Sequence, residues 1–174
     1  NSPIWSPDGS KIAYLSDAMT TIFLGATVNV IDMATGAEAL ISEPIFGQSQ
    51  PSWSADGSTV VVVARIPQTN RFREGYNGLL LLPASGEGDS KWVSPAGEDV
   101  SLGRRQWNRP AWSSDGMIVY RYDGGLYMAS LSPSGELGEA TLIAKTGENP
   151  NWSADASKLI YMDGADIKLF VIRM

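Results

Sequence analysis

Two short segments concentrate the side chains best suited to binding chemistry. One is an insertion of arginine and aromatic residues whose candidates are Arg71, Phe72, Arg73 and Tyr76. The other is a denser positive patch made of Arg104, Arg105, Trp107 and Arg109. Planar guanidinium groups pair with carboxylates and stack on rings, and aromatic side chains are common at recognition surfaces. Both segments are candidate interaction sites, with a plain solvated loop as the alternative for the insertion.

The sequence contains neither histidine nor cysteine. This excludes Ser-His-Asp and Cys-His nucleophiles, zinc sites built on histidine or thiolate, and redox cysteine pairs. Carboxylate chemistry and calcium bound by oxygen ligands remain open. Asp163 and Asp166 are spaced like part of a calcium loop but lack its other ligands, so a hairpin turn is the better interpretation. We assign no catalytic, metal-binding or cofactor-binding residue, and we expect no cofactor.

Composition and charge narrow the class of molecule further. The chain has 174 residues, of which 43% are apolar and 18% charged, and this is typical of one globular domain. A net charge of -6 opposes attraction to nucleic acid or anionic lipid. No apolar run approaches the roughly 20 residues that span a bilayer. We therefore expect neither a nucleic-acid partner nor a membrane span.

One phrase occurs four times, reading Pro-x-Trp-Ser-x-Asp followed by Gly or, in the last copy, by Ala156. Its tryptophans and aspartates are Trp5, Trp53, Trp112, Trp152, Asp8, Asp56, Asp115 and Asp155. Proline suits the start of a strand, tryptophan packs between sheets, and serine, aspartate and glycine form a tight turn. We interpret these residues as structural and expect all four tryptophans to be buried between sheets. At Ala156 we expect a different turn or backbone strain.

The segments between the copies predict the fold. Each copy precedes a β-branched or aromatic run, and successive tryptophans are 48, 59 and 40 residues apart, near the length of one propeller blade. We predict an all-β chain, a β-propeller of four-stranded antiparallel blades with about four blades present. The chain is a single domain, 1–174, whose units lie near 1–46, 47–105, 106–146 and 147–174.

The strand count leaves one blade incomplete. Four blades need 16 strands, but only 15 can be placed, because the last unit stops after its third. We expect part of a larger propeller, with an imperfectly closed four-blade ring as the alternative. An open blade edge then needs a partner to cover it. Residues just before the repeat prolines should face the central channel near one mouth; these are Ser2, Gln50, Arg109 and Asn149.

The phrase resembles the TolB-like repeats, of the PD40 or WD40-like kind, found in the periplasmic TolB protein, prolyl-oligopeptidase-type peptidases and some bacterial amidohydrolases. Two further segments, 69–77 and Gly103-Arg104-Arg105, resemble the propeller that precedes the barrel of imidazolonepropionase-like amidohydrolases. That resemblance implies a hydrolytic metal site in a separate barrel. None of the family's metal ligands falls on this chain, because it has no histidine.

Three functions remain open. The first is a non-catalytic interaction or scaffold module that docks on a neighbouring domain or protein in a larger bacterial hydrolase or assembly. The second is a ligand- or sugar-binding propeller with carboxylate chemistry in its channel, which needs a carboxylate pair about 5–9 Å apart. The third is the propeller part of an amidohydrolase. The resemblance implies a periplasmic or secreted location, with the cytoplasm as the alternative.

Overall fold

The computed structural model describes residues 3–19, 24–45, 49–65, 77–93, 109–122 and 124–171. Every regular element in these ranges is a β-strand, and the strands form four antiparallel sheets arranged as the blades of a β-propeller. The predicted fold class is therefore confirmed. No helix in the described ranges is long and apolar enough to cross a membrane.

The strands follow one another in chain order within each blade. Blade 1 contains β1 (Ile4–Trp5), β2 (Lys11–Met19), β3 (Leu24–Asp32) and β4 (Glu38–Leu40). Blade 2 contains β5 (Ser52–Trp53), β6 (Thr59–Arg65), β7 (Asn77–Pro83) and β8 (Lys91–Val93). Blade 3 contains β9 (Ala111–Trp112), β10 (Met117–Tyr122), β11 (Gly125–Ser130) and β12 (Thr141–Ala144). Blade 4 contains three strands in the described residues, β13 (Glu148–Trp152), β14 (Lys158–Asp163) and β15 (Asp166–Val171).

The repeated phrase forms the turn between the first two strands of each blade. In blade 1 the Ser6 hydroxyl donates to Asp8 Oδ1 at 2.7 Å and accepts the backbone N–H of Lys11 at 2.9 Å. Asp8 Oδ1 also accepts the Ser10 backbone N–H at 3.0 Å. Blades 2 and 4 repeat these bonds, and blade 3 keeps the serine–aspartate pair in a turn one residue shorter. The repeat aspartates therefore accept hydrogen bonds within these turns.

Ala156 adopts the backbone conformation of the glycines that it replaces. Its φ is 56°, against 72° for Gly9 and 68° for Gly57, and its N–H donates to Ser153 O at 3.0 Å as in the other copies. The expected change of turn is wrong, because the serine and aspartate bonds hold the loop in place. The other expectation, strain, fits a side chain held in the left-handed region.

Alternate residues of each second strand face opposite neighbours. In β6, Val60 and Val62 pack in the core shared with blade 1, whereas Val61 and Val63 pack in the core shared with blade 3. Each blade therefore has a rear face toward the preceding blade and a forward face toward the next. Buried clusters join blades 1 and 2, 2 and 3, and 3 and 4, and none of the described residues forms a cluster that joins blade 4 to blade 1.

Candidate functional site

Most of the predicted interaction residues lie outside the described residues. These are Arg71, Phe72, Arg73, Tyr76, Arg104, Arg105 and Trp107. Ser2, one of the expected channel residues, also lies outside them. Arg109 is described, and it is the candidate whose surroundings define a site.

The four repeat tryptophans have different environments. Trp53 and Trp112 are buried as predicted, with 5% and 8% of their surface exposed, and Trp152 is half-buried. The prediction is wrong for Trp5, which is 59% exposed. Trp5 lies on the rear face of blade 1, where no described blade packs against it. Its burial depends on a neighbour and not on the phrase itself.

At each described junction between two blades, the hydrogen-bond acceptor is the residue that precedes the repeat tryptophan of the earlier blade. Trp53 Nε1 donates to Ile4 O at 3.3 Å, and Trp152 Nε1 donates to Ala111 O at 3.0 Å. The junction between blades 2 and 3 differs, because the backbone N–H of Trp112 donates to Ser52 Oγ at 3.0 Å. The indole of Trp112 instead donates to Leu131 O of its own blade at 3.1 Å.

The forward face of blade 4 is apolar and exposed. It consists of two cross-strand pairs, Ile160 with Leu169 and Met162 with Ile167, and these four side chains are 40–74% exposed. Counted from the repeat tryptophan, Ile160 and Met162 occupy the positions of Val61 and Val63. In blade 2 the corresponding forward-facing side chains are at most 3% exposed. Blade 4 therefore presents a junction face without a described partner.

The rear face of blade 1 is also exposed, because no described blade packs against it. Trp5 and Leu40 are about 60% exposed there, beside the partly buried Ile12, Tyr14 and Ile31. Tyr14 lies opposite Asn29, which lies opposite Leu40, so the three residues share one face. The Tyr14 hydroxyl donates to Glu38, and this bond raises the pKa of Tyr14 above its usual value.

Ile167 and Leu169 are separated by Lys168, and this alternation in the sequence places them on one face of β15. The sequence analysis did not single out Ile160 and Met162, although Leu159, Ile160, Tyr161 and Met162 form a consecutive apolar run. A strand that is apolar on both sides is typical of one buried on both faces.

Asp163 and Asp166 pair across the hairpin between β14 and β15, which confirms the turn interpretation.

A groove of about 400 Å³ runs along the inner strands of blades 2, 3 and 4. Ser52, Arg109, Ala111 and Asn151 line it together with three of the repeat tryptophans. The predicted position of Arg109 at the channel agrees with this lining, whereas Gln50 and Asn149 do not contribute to it. Asn149 has a φ of 51°, and its amide donates to Met162 Sδ at 3.8 Å.

Charge in the groove comes from Arg109 alone among its described lining residues. Burial lowers the pKa of the Arg109 guanidinium. No Asp or Glu side chain belongs to the described lining, and the described carboxylates do not form a group of three that could hold a metal ion. The groove offers donors and aromatic walls, so an anionic group suits it better than a cation.

The blades define the class of molecule, a β-propeller, and solved structures that include TolB proteins share this fold. The chain superposes with a TM-score of 0.63 on TolB from Acinetobacter baumannii, at 21% identity over 97% of this chain and 39% of that one. It superposes on a hydrazine synthase from Kuenenia stuttgartiensis with a TM-score of 0.65, at 13% identity over 97% of this chain and 57% of that one.

A third similar structure is a puromycin hydrolase, with a TM-score of 0.62 and 18% identity over 91% of this chain and 24% of that one. The chain thus spans well under two thirds of each of these proteins. No protein-family model matches it. At such identities the likeness shows the fold alone, and the named proteins include enzymes, so activity does not follow from it.

Proposed function

We propose that this chain is a non-catalytic propeller segment that acts as an interaction module by packing its open faces against a further blade of the same repeat. The observation that carries the proposal is that the forward face of blade 4 and the rear face of blade 1 expose apolar side chains at positions that are buried in the described junctions. The forward face of blade 4 presents apolar side chains, as the forward faces of blades 1 to 3 do. The rear face of blade 1 presents the indole of Trp5, the residue type that each later blade packs against the blade before it.

The hydrogen-bond pattern supports this pairing. Asn151 precedes Trp152 as Ile4 precedes Trp5, and the Ile4 carbonyl accepts the Trp53 indole N–H, so the Asn151 carbonyl holds the acceptor position at the open face of blade 4. Trp5 holds the donor position, and none of the hydrogen bonds among the described residues uses its indole. A blade that carries the phrase therefore supplies both the ring and the N–H that blade 4 is shaped to receive.

The free energies of apolar burial and of association predict only a weak contact between separate chains. Full burial of the four apolar side chains on blade 4 would contribute about 1.5–3 kcal/mol each, or roughly 6–12 kcal/mol together. Association costs about 4–15 kcal/mol in lost motion before any contact is gained. The largest surplus that these ranges allow is about 8 kcal/mol, which corresponds to a dissociation constant of about 1 μM, so association of separate molecules is expected in the micromolar to millimolar range. Within one polypeptide, or beside a tethered partner, the same contact would persist because the effective concentration is high.

A second copy of the chain can serve as the occupant in a test, because each copy carries both faces. Sedimentation equilibrium from about 5 μM to 1 mM covers the expected affinity range. Added salt of about 0.3 M limits repulsion between chains of net charge -6. We expect concentration-dependent association of the native sequence, which Ile167→Asp abolishes.

The matched control is Leu142→Asp, which makes the same change at a 46% exposed leucine of β12 outside both faces. This variant should associate like the native chain. A native chain that stays monomeric over the whole range, or equal loss of association in both variants, would contradict the proposal.

The larger setting is also a proposal. We infer a bacterial hydrolase or assembly, located in the periplasm or secreted, and an amidohydrolase parent is the specific version that the sequence resemblance favours. The TolB and puromycin hydrolase structures support the general setting, since one fold serves in both. Cell fractionation of the native producer tests the location. Carboxylate catalysis in the groove finds no support, because none of its described lining residues is Asp or Glu.

A further inference from the structure

We propose that the axial groove binds the carboxylate of an amphipathic organic acid, with Arg109 as the cationic anchor and the repeat tryptophans as apolar walls. The groove volume of about 400 Å³ is that of a small-molecule site. The cationic anchor Arg109 lies outside the open faces of blades 1 and 4, although the groove shares Asn151 with the open face of blade 4.

Arg109 is a partly buried cation for which no ion-pair partner is found among the described residues. Arg121 shows how the same fold treats a similar side chain. It is 13% exposed and pairs with Glu148 through NH1 and Oε1 at 2.8 Å. An unpaired buried charge is costly, and a bound anion would compensate for it.

Two further donors lie on β5 of blade 2 and β13 of blade 4, on either side of the blade that carries Arg109. Ser52 Oγ accepts the Trp112 N–H at 3.0 Å, which leaves its own O–H free to donate toward the groove. Asn151 lines the groove from β13, and no hydrogen bond among the described residues uses its side-chain amide. Arginine binds carboxylates with two parallel N–H···O bonds, and a hydroxyl and an amide can satisfy the remaining lone pairs.

The apolar residues that line the groove determine what kind of ligand body fits beside the carboxylate. The indole N–H groups of Trp53, Trp112 and Trp152 all donate to backbone carbonyls, so they offer a ligand no free donor. Trp152 is half-buried, whereas Trp53 and Trp112 keep only 5% and 8% of their surface exposed, and all three line the groove with Pro110 and Pro150 beside one cation. A single positive charge matches a monoanionic carboxylate better than a dianionic phosphate, which needs several positively charged side chains. An acid with an aromatic or aliphatic body therefore fits the groove.

The test uses N-acetylphenylalanine as the probe and its neutral amide as the matched control ligand. Binding to the 174-residue chain is followed through the indole N–H signals in ¹⁵N-edited NMR spectra. We expect saturable binding of the acid at up to about 10 mM, with shifts at Trp53, Trp112 and Trp152 and a binding constant at least about tenfold weaker for the amide.

Arg109→Met keeps the apolar stem and removes the charge, and it should weaken acid binding about tenfold or more without affecting the amide. Its melting temperature should equal or exceed that of the native chain, because an unpaired buried charge is removed. A purely structural arginine would instead leave acid binding unchanged. If Arg109→Met does not fold, the comparison of acid with amide on the native chain still decides. Equal affinity for acid and amide, unchanged binding by the variant, or no saturable binding would overturn the proposal.

Discussion

The indole Nε1 of Trp152 donates a hydrogen bond to the carbonyl oxygen of Ala111 at 3.0 Å, and this bond joins the fourth blade to the third. Trp53 makes the equivalent bond to blade 1 at 3.3 Å. The order of blades is therefore directional, because a blade inserts its tryptophan into the blade before it. The same rule leaves Trp5 of blade 1 without an acceptor among the described residues.

The first prediction concerns two tryptophans of the same phrase in different environments. Trp53→Ala should lower the free energy of unfolding by about 3–5 kcal/mol, the usual loss for a large buried aromatic side chain. Trp5→Ala, which removes a mostly exposed ring, should cost less than about 1 kcal/mol in the isolated chain. Urea unfolding measures both. Similar losses for the two variants would show that their burial does not differ in solution.

The second prediction concerns the strained alanine in blade 4. Ala156→Gly should raise the free energy of unfolding by about 0.5–1 kcal/mol, because relief of the left-handed conformation exceeds the entropy that glycine adds to the unfolded chain. The mirror-image control is Gly9→Ala, whose new Cβ would meet no atom within 4 Å. It should destabilise by a similar amount. A neutral or destabilising Ala156→Gly would mean that the turn relaxes in solution.

The third prediction concerns acid. Hydrogen bonds from Ser6 and Ser10 lower the pKa of Asp8 to about 2, and bonds from Ser153 and Ser157 lower the pKa of Asp155 to about 2. The unfolded value is about 3.9. A carboxyl with a lowered folded pKa contributes stability above the unfolded pKa and loses it as the pH falls through the folded one.

Urea unfolding from pH 7 downward should therefore show stability decreasing between about pH 5 and pH 2. The variant with both Asp8→Asn and Asp155→Asn should have a shallower decrease, while Asp89→Asn, at an exposed aspartate outside the repeat turns, should behave like the native chain. Identical pH profiles for all three proteins would show that the turn bonds do not favour the ionised carboxylates.

The fourth prediction concerns chemistry. The chain has no histidine or cysteine, so we expect no stoichiometric zinc and no hydrolysis of amides or esters by the purified 174 residues. Metal analysis and a substrate panel measure this. Bound zinc at one equivalent, or turnover that disappears when a single carboxylate is replaced, would show that catalytic groups were overlooked.

The fold could be predicted from sequence because the phrase specifies its turn locally. Serine, aspartate and a residue of positive φ lie within six positions of the tryptophan, so their bonds need no distant partner. The burial of Trp5 could not be predicted in the same way, because a ring between blades is buried by a neighbour that its own phrase does not encode. The position of Arg109 at the channel follows from strand geometry.

The sequence could not show that neither ion pair among the described residues includes Arg109. The contrasting pair, Arg121 with Glu148, joins residues 27 positions apart across two blades. Such pairings depend on the relative position of sheets, and alternation along one strand does not determine them. The apolar set on blade 4 is an intermediate case, because its spacing is visible in the sequence but its exposure depends on whether another blade packs against it.

The most direct test of the central claim is the behaviour of the Trp5 indole N–H, which blade 4 of another molecule should accept. In ¹⁵N-edited NMR spectra of the native chain, the Trp5 signal should shift and become protected from solvent exchange as concentration rises. The Trp53 and Trp152 signals, already bonded within the chain, should not change. Ile167→Asp should hold the Trp5 signal at its dilute position. If the Trp5 signal is independent of concentration in the native chain, the two open faces are not halves of one junction.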